Sequence, residues 1–121
     1  MTISKTILVV DDNGINRLLP GLILRPFGWV VYESESGLDA LKQLRERPVS
    51  CVLLDISMPD ISGLEVLSDI QKSGEFQGVK VVAYTAYATQ ADVSHLLKIG
   101  FDAVLIKPLT SRALLDVLKT T

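Results

Sequence analysis

The sequence contains little cysteine and little histidine: Cys51 and His95 are the single examples of each among 121 residues. One cysteine excludes an internal disulfide and suits a reducing compartment. Because Cys51 lies in an apolar run, we expect it to be a small buried side chain rather than a reactive thiol. His95 falls in a predicted helix and is expected to be an ordinary exposed residue.

A strong excess of one charge and a long apolar run are also missing. The formal net charge is −2, which provides no electrostatic footprint for nucleic acid or an anionic membrane. No apolar run approaches the length of a membrane span, and the N-terminal residues MTISKT lack the regions of a signal peptide. We therefore expect a cytoplasmic protein without nucleic-acid or membrane partners, whose residues 1–121 form one domain.

The hydrophobic residues, 48% of the chain, occur in short runs separated by helical patterns. These runs mostly lack period-two alternation, which is typical of strands covered on both faces of a parallel sheet. The predicted strands are Thr6–Val10, Trp29–Glu33, Cys51–Leu54, Lys80–Tyr84 and Ala103–Ile106.

Helices are predicted between these strands because three segments match the capping-box pattern that begins a helix. The segments are Ser36-Gly-Leu-Asp39, Ser62-Gly-Leu-Glu65 and Thr89-Gln-Ala-Asp92. The first helix should begin after Asn13 and end near Pro26, and the last should cover roughly residues 111–119. Five β-α units in series predict a doubly wound α/β sandwich with right-handed crossovers.

Carboxylates follow two of the predicted strands, where an open α/β sheet binds its ligands. Asp11 and Asp12 end the first strand and Asp55 ends the third, while Thr85 and Lys107 end the fourth and fifth. Each pair of carboxylates about 5 Å apart costs about 3 kcal/mol at a dielectric constant near 20, so one lysine cannot offset all three. A hard divalent cation can, and oxygen ligands without histidine or cysteine favour Mg²⁺.

Such a site has room for a phosphoryl group, since Mg²⁺ commonly binds one or two carboxylates together with a phosphate oxygen. Aspartate is an established nucleophile that forms an aspartyl phosphate. The hydroxyl of Thr85 and the ammonium of Lys107 suit phosphoryl oxygens. Positioning and charge neutralisation are most of what phosphoryl transfer requires.

This set of residues, in the order DD, D, T and KP on five β-α units, resembles the receiver domain of two-component response regulators. The resemblance covers essentially the whole chain. Asp11 and Asp55, Asp55 and Thr85, and Thr85 and Lys107 are separated by 44, 30 and 22 residues, as expected of a receiver. The resemblance implies a five-stranded parallel (βα)5 flavodoxin-like sandwich with strand order 2-1-3-4-5. Because the sequence stops soon after the fifth predicted helix, we expect a single domain without an output domain.

The resemblance assigns a role to each acidic residue of the site. Asp55 would be the phosphoacceptor. Asp11 and Asp12 would hold Mg²⁺ together with Asp55, and the backbone carbonyl of Ser57 would be a further ligand. The string DDNGIN is similar to receivers of hybrid kinases and phosphorelays, and to some that stand alone.

The resemblance also assigns roles beyond the carboxylates. Thr85 would hydrogen-bond the phosphoryl group and Lys107 would pair with it. A cis bond before Pro108 would aim the lysine inward. Ala86 is small and leaves the phosphoryl group reachable, and a ring at Tyr87 would shield the site from water and slow dephosphorylation.

One departure from the family is Val104, which stands where many receivers carry an aromatic switch residue three positions before the lysine. The usual coupling of that ring to Thr85 therefore cannot operate. Tyr84, Tyr87 and Phe101 are the available substitutes, and we expect Tyr84 and Phe101 simply to be packed in the core.

A second departure is the pair Pro20-Gly21 inside the first helix, where proline costs about 3 kcal/mol. Helical phase predicts an inward face of Ile15, Leu18, Leu19 and Leu22. Pro20, Gly21 and Leu24 then lie outward, and we expect them to form a docking surface for the phosphodonor; the alternative is a kinked helix whose surface has no function. The apolar bias of the chain and this helix also favour self-association, for example as a homodimer.

The leading hypothesis is a signalling switch rather than an enzyme. It would accept a phosphoryl group on Asp55 from a histidine kinase or a histidine phosphotransfer protein, then act on an unknown downstream protein or pass the group on. The alternative is a phosphorylation-independent binding module on the same fold. A metal-dependent phosphohydrolase would need a general acid or base and a substrate cap, and the sequence shows neither.

Overall fold

The computed structural model describes residues 5–76, 78–86 and 89–119. Five parallel strands form one sheet in the order β2-β1-β3-β4-β5, which confirms the predicted architecture. The strands are β1 Thr6–Val10, β2 Val30–Ser34, β3 Cys51–Asp55, β4 Lys80–Thr85 and β5 Ala103–Ile106. The helices are α1 Gly14–Leu24, α2 Gly37–Glu46, α3 Gly63–Ser73, α4 Gln90–Ile99 and α5 Ser111–Lys119, with a 3₁₀ turn at Arg25–Phe27.

The sheet is covered on both faces, which explains why its strands do not alternate in hydrophobicity. Alternate strand residues contribute to two separate cores. Leu8 and Val52 pack towards side chains of α2, α3 and α4, whereas Ile7 and Leu53 pack towards α1 and α5. Cys51 belongs to the second core and is only 2% exposed. Burial raises the pKa of its thiol to about 12, so it is an inert core residue.

Two of the three predicted capping boxes are complete. Ser62 and Thr89 each accept from the third helical N–H, and the acid at that position accepts from the cap in return. At the start of α2 only half of the box forms, because the carboxylate of Asp39 accepts instead from Ser34 at 2.7 Å and Gln43 at 2.7 Å. His95 is exposed on α4, as predicted.

The orientation predicted for α1 is wrong. Pro20, Gly21 and Leu24 are its buried residues rather than an outward surface. Three of the four residues assigned to the inward face are instead exposed, by 71%, 47% and 60% of their surface: Ile15, Leu18 and Leu22. The docking surface predicted at Pro20, Gly21 and Leu24 is therefore not available to a partner.

The physical reason for this orientation is a close approach of α1 to β2. The guanidinium of Arg25 donates to the carbonyl of Val31 at 3.2 Å and lies 3.8 Å from Glu33. A Cβ at Gly21 would lie 2.5 Å from that guanidinium, so only glycine leaves room for it without a shift. Gly21 thus lies on the side of α1 that faces the sheet, next to the fully buried Leu24.

Within the described part of the chain, every helix is too short or too polar to cross a bilayer.

Candidate functional site

Three carboxylates converge at the carboxyl edge of the sheet. Asp11 and Asp12 directly follow β1, and Asp55 is the last residue of β3. The two strands are adjacent and parallel, with Val10 opposite Leu54, so their ends meet. One carboxylate oxygen from each aspartate lies within 4.8 Å of the others, which brings together the acidic residues that the sequence predicted.

Asp11 is completely buried. Its Oδ1 accepts from the N–H of Asn13 at 2.9 Å, and its Oδ2 lies 2.8 Å from the Nζ of Lys107. Oδ2 has no well-aligned hydrogen bond among the described residues, so its contact with Lys107 is an ion pair set by distance rather than direction. Arg17 also donates to the Asp11 carbonyl at 3.0 Å and braces the turn after β1.

Asp55 is 5% exposed and shares the same lysine. Its Oδ1 accepts from the N–H of Ser57 at 3.2 Å and lies 3.5 Å from the Nζ of Lys107. Burial, followed by the negative charge of Asp11, raises the pKa of Asp55 to about 6, although Lys107 acts in the opposite direction. Lys107 alone therefore does not return the pKa of Asp55 to its ordinary value.

Thr85 is the last residue of β4, and Lys107 directly follows the neighbouring strand β5. Thr85 is 7% exposed, and its carbonyl accepts from the N–H of Lys107 at 2.8 Å. The bond between Lys107 and Pro108 is cis, as predicted. Ala86 is exposed immediately after Thr85, and Tyr87 lies outside the described residues.

The donor set fits a hard divalent cation. Two buried carboxylates and one exposed carboxylate supply oxygen atoms within 4.8 Å, and carboxylate oxygens are the protein ligands that Mg²⁺ prefers. The buried Oδ2 of Asp11 has no aligned hydrogen-bond donor among the described residues, so it keeps lone pairs that a cation could use. Ser57 is held beside this set through its N–H, which donates to Asp55.

Gly63 is a residue of this site that the sequence reasoning treated only as part of a capping box. Its N–H donates to the carbonyl of Ile56 at 2.9 Å. A Cβ at this position would lie 2.3 Å from the carbonyl oxygen of Asp55, much closer than atoms can approach. The first turn of α3 therefore rests directly on the backbone of Asp55, and only glycine permits it.

Tyr84 and Phe101 are packed in the core, as predicted, with 0% and 3% exposure. Phe101 and Val104 contribute to the core beneath α2, α3 and α4, whereas Tyr84 contributes to the core beneath α1 and α5. Tyr84 is thus on the opposite face of the sheet from the missing switch aromatic. Its ring instead lies under Lys107, whose Nζ is 4.8 Å from the ring centroid.

Comparison with known proteins agrees with this geometry. The model of the response regulator receiver domain family matches residues 7–119. The polar-differentiation response regulator DivK of Brucella ovis is 30% identical over 117 residues, which cover 97% of this chain and 95% of that protein.

Solved structures show the same fold. A CheY-like response regulator receiver domain protein from Methanospirillum hungatei is 30% identical, with a TM-score of 0.85 over 97% of this chain and 92% of that one. The Vibrio cholerae chemotaxis protein CheY4 has a TM-score of 0.88 over 97% and 98% of the two chains, at 20% identity. The second likeness supports the fold alone.

Proposed function

This chain belongs to the response regulator receiver family, and from that premise we propose that Asp55 accepts a phosphoryl group from a histidine phosphodonor. Phosphorylation-dependent signalling is the general function of the family. The observation that carries the proposal is the position of Asp55, a carboxylate at a strand end, 3.5 Å from the ammonium of Lys107 and beside two further carboxylates. The exposed and small Ala86, next to Thr85, supports access of a phosphodonor to Asp55.

In the proposed transfer, a carboxylate oxygen of Asp55 forms a bond to phosphorus while the bond from phosphorus to the donor's imidazole nitrogen breaks. The imidazole keeps the electron pair and takes up one proton. Lys107 would pair with an oxygen of the arriving group. Thr85, at the end of the adjacent strand β4, would donate a hydrogen bond to it from its hydroxyl. These residues position the group and balance its charge, which is the main demand of phosphoryl transfer.

Asp11, Asp12 and Asp55 would hold Mg²⁺, with the carbonyl of Ser57 as a further ligand. The cation would neutralise charge on the carboxylates and on the phosphoryl oxygens. The support is the chemistry of the donor set, together with the pKa of Asp55, which burial and then the negative charge of Asp11 raise.

The exposed stripe of α1, formed by Ile15, Leu18 and Leu22, replaces the surface predicted from the sequence as the proposed contact for the phosphodonor. These side chains are exposed by 47–71%, and the helix begins two residues after Asp12. A histidine kinase or histidine phosphotransfer protein docked on this stripe would therefore bring its phosphohistidine near Asp55. The protein would then signal by contact with a downstream protein or pass the phosphoryl group on.

The test is intact-mass measurement after incubation with acetyl phosphate, with and without Mg²⁺. We expect one phosphoryl adduct that requires Mg²⁺ and is lost in Asp55→Asn. Asp69→Asn is the matched control, because Asp69 is an exposed carboxylate on α3 and its replacement should leave the adduct unchanged.

An adduct that persists in Asp55→Asn would place phosphorylation elsewhere and overturn the assignment. A folded protein that forms no adduct with acetyl phosphate or with phosphoramidate would instead favour the phosphorylation-independent binding module. Rapid release of phosphate from exogenous phosphoesters, without a stable adduct, would favour a hydrolase.

A further inference from the structure

Tyr84 is a large aromatic residue placed directly beside the proposed phosphorylation site. It precedes Thr85 on β4, is completely buried, and lies opposite Asp55 in the β3–β4 register. Across β5 it is paired with Leu105, two residues before Lys107. Its strand therefore fixes the ring next to residues from both sides of the site.

The ring of Tyr84 forms one wall of the position occupied by the Lys107 ammonium. Nζ of Lys107 is 4.8 Å from the ring centroid, 2.8 Å from Oδ2 of Asp11 and 3.5 Å from Oδ1 of Asp55. The lysine side chain is only 15% exposed. A cation over an aromatic face is attracted to it, more strongly where water is excluded, so the ring limits where this flexible side chain can place its charge.

The hydroxyl of Tyr84 does not explain why a tyrosine occupies this position. It is buried and forms no hydrogen bond among the described residues, which is an unfavourable arrangement for a polar group. Phenylalanine would fill the same space and present the same face without that cost. The useful part of the side chain is therefore the ring, and its evident contact with the site is Lys107.

We propose that Tyr84 is a positioning residue, whose ring face holds the Lys107 ammonium between Asp11 and Asp55 for pairing with the incoming phosphoryl group. The proposal rests on phosphorylation of Asp55, as proposed above, and assigns to β4 a second contribution besides Thr85. In this role the ring of Tyr84 is needed and its hydroxyl is not, and Tyr84 affects phosphorylation only through its contact with Lys107.

The contact can be tested without any phosphodonor, by NMR of the protein labelled with ¹³C-lysine. Protons above the face of an aromatic ring resonate upfield, so the ε-methylene of Lys107 should be shifted upfield of the other lysines. Its signal is assigned by its loss in Lys107→Met. We expect the shift to persist in Tyr84→Phe and to disappear in Tyr84→Leu; an ordinary lysine shift in the unmodified protein would overturn the proposal.

The role is tested by the rate of adduct formation with acetyl phosphate and Mg²⁺. We expect Tyr84→Leu to slow phosphorylation about tenfold, equivalent to about 1.4 kcal/mol, and Tyr84→Phe to restore it. In a Lys107→Ala background, Tyr84→Leu should have no further effect. Val82→Ala is the control for a weakened core, since Val82 is 1% exposed in the same core, and it should leave the rate unchanged.

Equal rates for Tyr84→Leu and the unmodified protein, or an equal loss in Tyr84→Phe, would overturn the positioning role of the ring. A slow rate in Val82→Ala as well would show a general effect of core packing and also overturn it. If no variant forms an adduct while the upfield lysine signal is present, the failure belongs to the proposed function and the ring contact stands.

Discussion

The ammonium of Lys107 lies 2.8 Å from Oδ2 of Asp11, a carboxylate with no exposed surface. Its distance to Asp55, the proposed phosphoacceptor, is longer at 3.5 Å. In this state the lysine therefore serves mainly as the counter-charge of a buried acid. To pair with a phosphoryl group on Asp55, Lys107 would have to give up part of its existing ion pair with Asp11.

Replacement of Lys107 by methionine should destabilise the protein, because it leaves two buried carboxylates without a cation. The expected loss is about 3 kcal/mol in the free energy of unfolding, measured by urea denaturation with a chelator present. Lys42→Met, which removes an exposed lysine from α2, should change this free energy by less than about 0.5 kcal/mol.

A double-mutant cycle assigns the effect to Asp11. In an Asp11→Asn background, Lys107→Met should cost at least about 1 kcal/mol less than it does in the unmodified protein. If the two substitutions simply add, the ion pair does not hold Lys107 in place.

Removal of the Asp55 charge should stabilise the protein, whereas removal of the Lys107 charge should destabilise it. The reason is that the pKa of the Asp55 carboxyl is raised from 3.8 to about 6 in the folded protein. Between these two values the folded state binds more protons than the unfolded state, so stability falls as the pH rises from about 4 to about 6. Asp55→Asn should therefore be more stable than the unmodified protein near neutral pH, by up to about 3 kcal/mol, and nearly equal to it below pH 4.

The measurement is the midpoint of thermal unfolding across this pH range in the presence of a chelator. Asp69→Asn is again the control and should lack the pH-dependent gain. Mg²⁺ should raise the midpoint of the unmodified protein at neutral pH more than that of Asp55→Asn. If Asp55→Asn is less stable than the unmodified protein at every pH, the ionised carboxylate of Asp55 does not destabilise the folded state.

Most of the sheet and site could be predicted from the sequence, because both depend on local patterns. Doubly covered strands appear as apolar runs, and the polar residues at the ends of parallel strands must meet at one edge. Asp11, Asp55 and Lys107 needed nothing more than that topology to be placed together. The cis bond before Pro108 followed from the resemblance alone.

The face of α1 could not be predicted in the same way, because this helix carries apolar residues on nearly every side. Periodicity selects a buried face only when the opposite face is polar. The buried side of α1 is defined by contacts with the sheet: Leu24 packs in the core, and Arg25 reaches over Gly21 to the carbonyl of Val31. Such contacts link a helix to a strand that lies apart from it in the sequence. The contact between Tyr84 and Lys107 was missed for the same reason, since it joins two strands.

The corrected orientation of α1 predicts opposite outcomes for two leucines that lie two residues apart. Leu24→Ala should cost about 2–5 kcal/mol, because Leu24 is fully buried and its truncation leaves a cavity. Leu22→Ala should change stability by less than about 0.5 kcal/mol, because Leu22 is 60% exposed. Urea denaturation of the two variants decides between the orientations.

A charged substitution at the exposed Leu22 tests docking of the phosphodonor without disturbing the fold. Leu22→Asp should leave the protein folded and phosphorylated by acetyl phosphate at the normal rate, but should slow transfer from the cognate histidine phosphodonor. Normal transfer to Leu22→Asp would exclude Leu22 from the donor contact. A large loss of stability in Leu22→Ala would contradict the orientation itself.

Gly63→Ala should disturb the site more than any other glycine-to-alanine change at a helix start. The added Cβ would lie 2.3 Å from the carbonyl oxygen of Asp55 and 2.9 Å from the Cα of Ile56. Both are backbone atoms, so either α3 or the end of β3 must move. We expect a loss of about 1–3 kcal/mol in stability together with slower phosphorylation by acetyl phosphate.

Gly14→Ala is the matched control for Gly63→Ala, because Gly14 is the first residue of α1 and its added Cβ would meet only the end of the Arg17 side chain, at 3.8 Å. Alanine there should be neutral or slightly stabilising, since it is the better helix former. If Gly63→Ala retains both stability and phosphorylation rate, α3 moves away from β3 easily. The position of Asp55 would then depend on its own strand and on its bond from Ser57 rather than on the close contact with α3.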